Sequence, residues 1–294
     1  MSIGRKPRRD VPSRSWQQML SHVELGTSFQ ARHLQVELER ASTIEVTSTA
    51  GDAVKVLSRS NYDFAPATDD GRVVGYVELR QLSSASAGKP VRDLTYPLNS
   101  GVIVSADTPI SELIEWLPEQ RILFVLEGRE TTGFITIWDL NKQPARAYLY
   151  LVLAGLEIAL ADLVRWRYGA DQSPVLATLG KRDQDSVRGR VGADRDANAD
   201  SDLVSYLGFK HLLRVFEGDR ALREAMGGFS KTRWRSYTWP LSDLRNDVMH
   251  PISSFVSSPD DVVALGEDLR RAIKLVDQAV AALRQRYGYP DPEG

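Results

Sequence analysis

Two stretches of the chain, residues 51–82 (GDAVKVLSRSNYDFAPATDDGRVVGYVELRQL) and 108–140 (TPISELIEWLPEQRILFVLEGRETTGFITIWDL), run through one order of signals. Each reads as a short helix, an apolar strand, a charged turn containing glycine, a second strand opening with glycine, and a second helix. An internal repeat of this kind constrains the fold before any single motif does. The physical signals are clearest in the second copy. Thr108 suits a helix cap and Pro109 the first helical position. Ile110, Leu113, Ile114 and Leu117 then fall at i, i+3, i+4 and i+7, which makes one buried face. Residues 122–126 read as a strand buried on both sides, and Glu127-Gly128 as the turn that follows it.

After Asn141 the strand signals stop. Residues 144–168 form one long helical pattern with Leu149, Leu153, Leu156 and Leu160 on its apolar face. A second helix is expected over about residues 202–226, with Leu203, Leu207, Leu212 and Phe216 as its core, and a third, short one after Trp239-Pro240. The last has the sharpest boundary: Ser258 caps, Pro259 starts, and Asp260 and Asp261 favour the positive end of the helix dipole. Its apolar residues from Leu265 to Leu283 alternate at spacings of four and three, a bundle seam or a dimer interface. Residues 181–202 carry almost no large apolar side chain and alternate in charge. The connection 169–202 therefore reads as a disordered loop.

The length, 294 residues, suits two compact domains. The expected fold class is α+β: a basic tail and helical lead-in over residues 1–41, a paired small α/β module over 42–142, and an all-helical domain over 143–294. With no cysteine, disulfides and thiolate chemistry are excluded, and a reducing cytoplasmic setting is expected. The four histidines (His22, His33, His211, His250) share no metal-ligand spacing, so no metal site is expected. A formal net charge of -2 gives no global field for nucleic acid, so any RNA contact must be local. Arg5, Lys6, Arg8 and Arg9 are not followed by an apolar stretch, as a signal peptide would require. The most apolar stretch, 147–163, is broken by Glu157 and Asp162 and is too short to span a bilayer, so no membrane partner is expected.

The run Gly133-Phe134-Ile135-Thr136-Ile137-Trp138-Asp139-Leu140 resembles the signature of CBS domains, which normally occur as an intramolecular pair. The resemblance covers about residues 42–142. It implies an adenine nucleotide as a regulatory ligand (ATP, ADP, AMP or a cyclic oligoadenylate), with Gly133, Thr136 and Asp139 as nucleotide-binding residues. Thr136 would meet phosphate or ribose, and Asp139 would accept hydrogen bonds from ribose hydroxyls. The first copy has Glu78 and Gln81 in the corresponding places, and a glutamate there repels phosphate, so one working site is expected. The structural alternatives are a pair that serves only as a scaffold and an Asp139 that only caps its own helix.

In the second half, Leu244-Arg245-Asn246 followed by His250-Pro251 is similar to the R-x(4–6)-H motif of HEPN domains, over about residues 144–288. That resemblance implies metal-independent RNA cleavage with no catalytic cofactor, in a homodimer whose two motifs share one cleft. The residue chemistry agrees. Histidine is the side chain whose ordinary chemistry suits proton transfer near neutral pH, so His250 can act as general base or acid. Arg245 can clamp two phosphate oxygens, Asn246 can orient substrate or the histidine, and Glu157 is a weaker candidate in support. The surface alternative pairs Arg245 with Asp243 or Asp247 and leaves His250 as a helix-end cation. The joint expectation is a nucleotide-regulated endoribonuclease. Its rival is a non-catalytic nucleotide sensor whose helical domain binds RNA or a protein partner.

Overall fold

The computed structural model describes residues 28–196, 202–250 and 252–287. The basic residues Arg5 to Arg9 lie outside the described residues, as does Pro251. Two compact units are present. One runs to Arg146 and adds Ser254–Gly266; the other holds Ala147–Ser253 and the residues from Glu267 on. The stretch 254–266, expected in the helical domain, thus packs with the α/β unit.

In the α/β unit both repeats keep the expected order of helix, strand, turn and strand, but Gly75 and Gly133 lie in the middle of their strands rather than opening them. In the first, β2 (Ile44–Glu45) leads into α2 (Ala50–Ser60), then β3 (Phe64–Asp69), β4 (Arg72–Glu78) and α3 (Leu79–Ser84). In the second, β6 (Ile103–Ser105) leads into α4 (Ile110–Gln120), β7 (Ile122–Glu127), β8 (Glu130–Thr136) and a 3-10 turn (Ile137–Asn141) in place of the expected helix. Each copy pairs its leading strand parallel and its hairpin antiparallel, with a bulge at matching positions, Ala67/Thr68 and Val125/Leu126. Thr49 caps α2 through Asp52 N–H at 3.3 Å. In α4 the buried face is Ile110, Leu113, Ile114 and Leu117, as the spacing requires. The cap there is Pro109 rather than Thr108, and no side chain accepts from the first turn.

Each sheet is completed by a strand the repeat pattern does not announce. The sheet orders are β1-β8-β7-β6 and β2-β3-β4-β5. β1 (Val36–Glu37) comes from before the first copy and pairs antiparallel with β8, while β5 (Tyr96–Pro97) pairs with β4. The short helix α1 (Ala31–Leu34), with Ala31 and Leu34 fully buried, precedes β1. Residues 31–37, expected as a lead-in, therefore belong to the module, with Val36 and Glu37 in the sheet of its second copy. The glycine of each copy has one physical cause. A Cβ at Gly75 would sit 2.0 Å from Tyr96 O, and one at Gly133 2.6 Å from Val36 O.

The helical unit holds most of α5 (Gln143–Tyr168), then α6 (Ser173–Ala177), α7 (Lys181–Asp196), α8 (Phe209–Gly218), α9 (Arg220–Ala225), α10 (Lys231–Met249) and most of α11 (Pro259–Tyr287). α5 is 26 residues, longer than the apolar stretch 147–163, so its length and composition would allow it to cross a bilayer. Its apolar side is instead spent on the protein core: Leu149, Leu153, Leu156, Leu160 and Leu163 are buried. Three expectations are corrected. The loop 169–202 is in large part helical: Val175, Leu179 and Val187 are buried, Asp183 pairs with Arg214, and Arg190 donates to Tyr206 O at 2.7 Å. Three buried apolar side chains, one ion pair and one hydrogen bond to a backbone carbonyl thus supply what the charged sequence lacks. The second helix is broken at Gly218-Asp219, where Asp219 caps α9 through Ala221 and Leu222 N–H. The third helix does not start after Pro240. Ser230 caps it, accepting from Arg233 N–H at 3.2 Å, and Pro240 lies inside it. Trp234, Thr238, Leu241 and Val248 are buried on either side of the proline, and that packing outweighs the missing backbone donor.

Candidate functional sites

The nucleotide-binding candidates lie at the end of β8. Asp139 is buried, at 6% exposure. Its Oδ2 accepts from Thr136 N–H at 2.6 Å and from the Thr136 hydroxyl at 3.0 Å, and its Oδ1 pairs with Lys142 Nζ at 2.8 Å. This is a capping box closed by a cation, the structural alternative for Asp139 in material form. Lys142 also donates to Leu34 O at 2.6 Å, so the motif is tied to α1. Gly133 sits against β1 and serves the sheet.

A cleft of about 450 Å³ opens beside this turn, lined by Thr136, Trp138, Asp139, Asn61, Tyr62 and Arg40 among others. Trp138 and Tyr62 are each 50% exposed and give it two aromatic faces. A second cleft, about 320 Å³, takes in Thr136 and Trp138 with Glu78, Arg80, Arg121 and Ser257. In the first copy nothing replaces the capping box: the Gln81 Oε1 is buried without a hydrogen-bond partner. Sequence reading missed Tyr62, Arg40 and Ser257. Tyr62 carried a signal, since it follows Asn61, whose left-handed backbone (φ 53°) ends α2 as the positive φ of Arg121 (56°) ends α4. Ser257 carried none, because it is brought in by the segment 254–266. That segment is clamped by the Asn141 side chain, which accepts from Phe255 and Val256 N–H (2.9 and 3.1 Å) and donates to Val256 O (2.8 Å).

In the helical unit, Glu157 on α5 and Arg245 on α10 come together. Burial pushes the Glu157 carboxyl up, while the positive charge of Arg245 and a hydrogen bond from Phe209 N–H act against that. The Arg245 Nε is buried and has no hydrogen-bond partner among the described residues. Asn246 and His250 are exposed, and His250 is the C-cap of α10. Five residues of helix turn the chain through about 140° from Arg245 to His250, so the two lie on different flanks of the helix axis. Asn246 and His250, four apart, share a face.

Residues 38–88 match the model of the CBS domain family, so the chain carries a CBS domain there. The helical region follows it. Among solved structures, the chain is similar to the CBS domain of a bacterial CNNM/CorC family Mg2+ transporter in complex with ATP: 17% identity, 45% of this chain and 96% of that one, TM-score 0.37. It is also similar to CBSX2 in complex with AMP: 22% identity, 41% and 96% covered, TM-score 0.35. A hemolysin-like CBS-containing protein of Oenococcus oeni PSU gives 18% identity, 42% and 94% covered, and TM-score 0.35. No curated protein matches the chain.

Proposed function

We propose that the chain is a metal-independent endoribonuclease of HEPN type regulated by an adenine nucleotide. One observation carries the reading: Glu157 on α5 and Arg245 on α10 are both half-buried and near enough for the arginine charge to act on the Glu157 carboxyl, with His250 at the end of the helix that carries Arg245. A lone surface arginine needs no buried carboxylate, and a guanidinium with an unpartnered buried Nε is poised to bind an anion. His250 would take the 2′-hydroxyl proton or return one to the 5′-oxygen. Arg245 would hold the charge that grows on the phosphate, Asn246 would orient the substrate, and Glu157 would set the guanidinium plane. Because Arg245 and His250 lie on different flanks, a site using both is completed by a second copy, in a homodimer. The ligand reading is supported by the CBS domain and by a cleft that offers aromatic faces, a hydroxyl and a carboxylate.

Purified protein is incubated with total RNA in EDTA, with and without ATP or AMP. Cleavage that leaves 2′,3′-cyclic phosphate ends, changes with nucleotide and disappears in His250→Ala is the expected result. Intact RNA under every condition would sink the nuclease reading, and nucleotide binding alone would leave a non-catalytic sensor.

A further inference from the structure

The N-terminal half of α10 carries a cluster that the Arg245–His250 motif does not use. Three cations surround one indole: Lys210 Nζ lies 5.1 Å from the Trp239 ring centroid, Arg235 5.5 Å and Arg214 5.8 Å. Lys210 and Arg214 are one turn apart on α8, which is held to α10 by the Trp234 indole N–H to Leu213 O (3.0 Å) and a Phe216–Trp234 stack. Arg214 is already paired with Asp183, but among the described residues no carboxylate pairs with Lys210 or Arg235. Both are exposed, and Trp239 is half-buried. Cations held around an aromatic ring with charge to spare suit a polyanion whose bases can stack.

The cluster points at the proposed catalytic end. Arg235, Trp239, Asn246 and His250 are spaced by four, seven and four residues, which sets them in one stripe along α10. Ser242, a small side chain within the stripe, is buried, and the buried apolar residues Trp234, Leu241, Leu244 and Val248 lie off it. At 1.5 Å per residue, Trp239 lies about 16 Å from His250 along the axis, a reach of a few nucleotides. Asp243 and Asp247 are exposed near the His250 end and repel phosphate there, so anchoring falls to the cations around Trp239.

We infer that Lys210, Arg214, Arg235 and Trp239 form a docking site for single-stranded RNA, which delivers the strand along α10 to His250. The inference deepens the nuclease reading and rests on it for the identity of the strand. The test uses the full chain carrying His250→Ala, so that RNA stays intact, and a short fluorescein-labelled single-stranded RNA in anisotropy titrations. Trp239→Ala in that background should weaken binding about tenfold or more, the loss of one stacked base. Lys210→Glu with Arg235→Glu, both on the surface, should weaken it further and flatten the salt dependence by about 0.7 for each phosphate no longer neutralised. Arg59→Glu, in the other unit, should change nothing. Parent-like binding by both the Trp239 and the double variant overturns the site, as does equal affinity for duplex RNA or no RNA binding by the parent. Weakened binding in a protein that cuts no RNA would keep the docking site and remove the nuclease reading. His250-dependent cleavage with unchanged binding in these variants would do the reverse.

Discussion

Asp139 has two claims on one carboxylate: it closes the capping box of its own turn and it faces the cleft. Asp139→Ala therefore removes a buried acceptor of two hydrogen bonds and strands Lys142. It should cost about 2–3 kcal/mol of stability, read by urea unfolding, and nucleotide affinity has to be measured where the variant is still folded. In that regime calorimetry with ATP should show a ten- to hundredfold loss, roughly the worth of one charge-assisted hydrogen bond. Gln81→Ala should leave binding as it is. Asp202 allows a pH test. Burial opposes its charge, but hydrogen bonds from Arg165 and Ser205 hold its carboxyl down at about 2, below the ordinary 3.8. A depressed carboxylate contributes stability above its unfolded value and loses it as the pH falls through the folded one. Melting temperatures of the wild type and Asp202→Asn should thus differ above about pH 4 and converge toward pH 2; a gap independent of pH would deny Asp202 this role. The candidate residues Thr136, Asp139, Arg245 and His250 were named from the sequence alone. The internal hydrogen bonds of Asp139, and the meeting of Glu157 with Arg245 across two helices, were not, because neither follows from spacing along one chain segment.

Among the elements, those with a clear apolar spacing were read best: the faces named for α4 and α5 are buried, and in α11 Leu265, Leu269, Val276, Val280 and Leu283 are buried while Ile273 is exposed. The elements missed are stabilised from outside themselves. Among the described side chains of α7 only Val187 is fully buried, and the helix depends on Arg214 and Tyr206 from later in the chain. β1 is two residues long and shows no alternation. Two substitutions follow. Val187→Ala should cost about 1–2 kcal/mol and loosen α7, which would appear as faster amide exchange over 181–196. Gly189 lies inside α7, and a Cβ there meets nothing within 4 Å. Gly189→Ala should stabilise by about 0.5–1 kcal/mol, read as a higher melting temperature. If it does not, α7 is not helical in solution.

For the molecule as a whole, the units are interleaved in sequence: one takes 254–266 out of the middle of the other. A fragment of residues 42–142 lacks both β1 and the partner of Asn141, and leaves the β8 edge bare. It should aggregate and melt below a fragment of 28–146, by light scattering and circular dichroism. The interleaving also sets a timetable for a chain being made from its N-terminus. The ribosome must pass residue 266 before the α/β unit has its last segment, and by then Arg245 and His250 have already been synthesised. The helical unit in turn waits for the rest of α11. Neither unit can finish long before the other, so a newborn chain does not pass through a stage with a completed helical unit and an unfinished α/β one. For a chain that, on the function proposed above, cuts RNA, that order of completion is itself a safeguard for the message being translated.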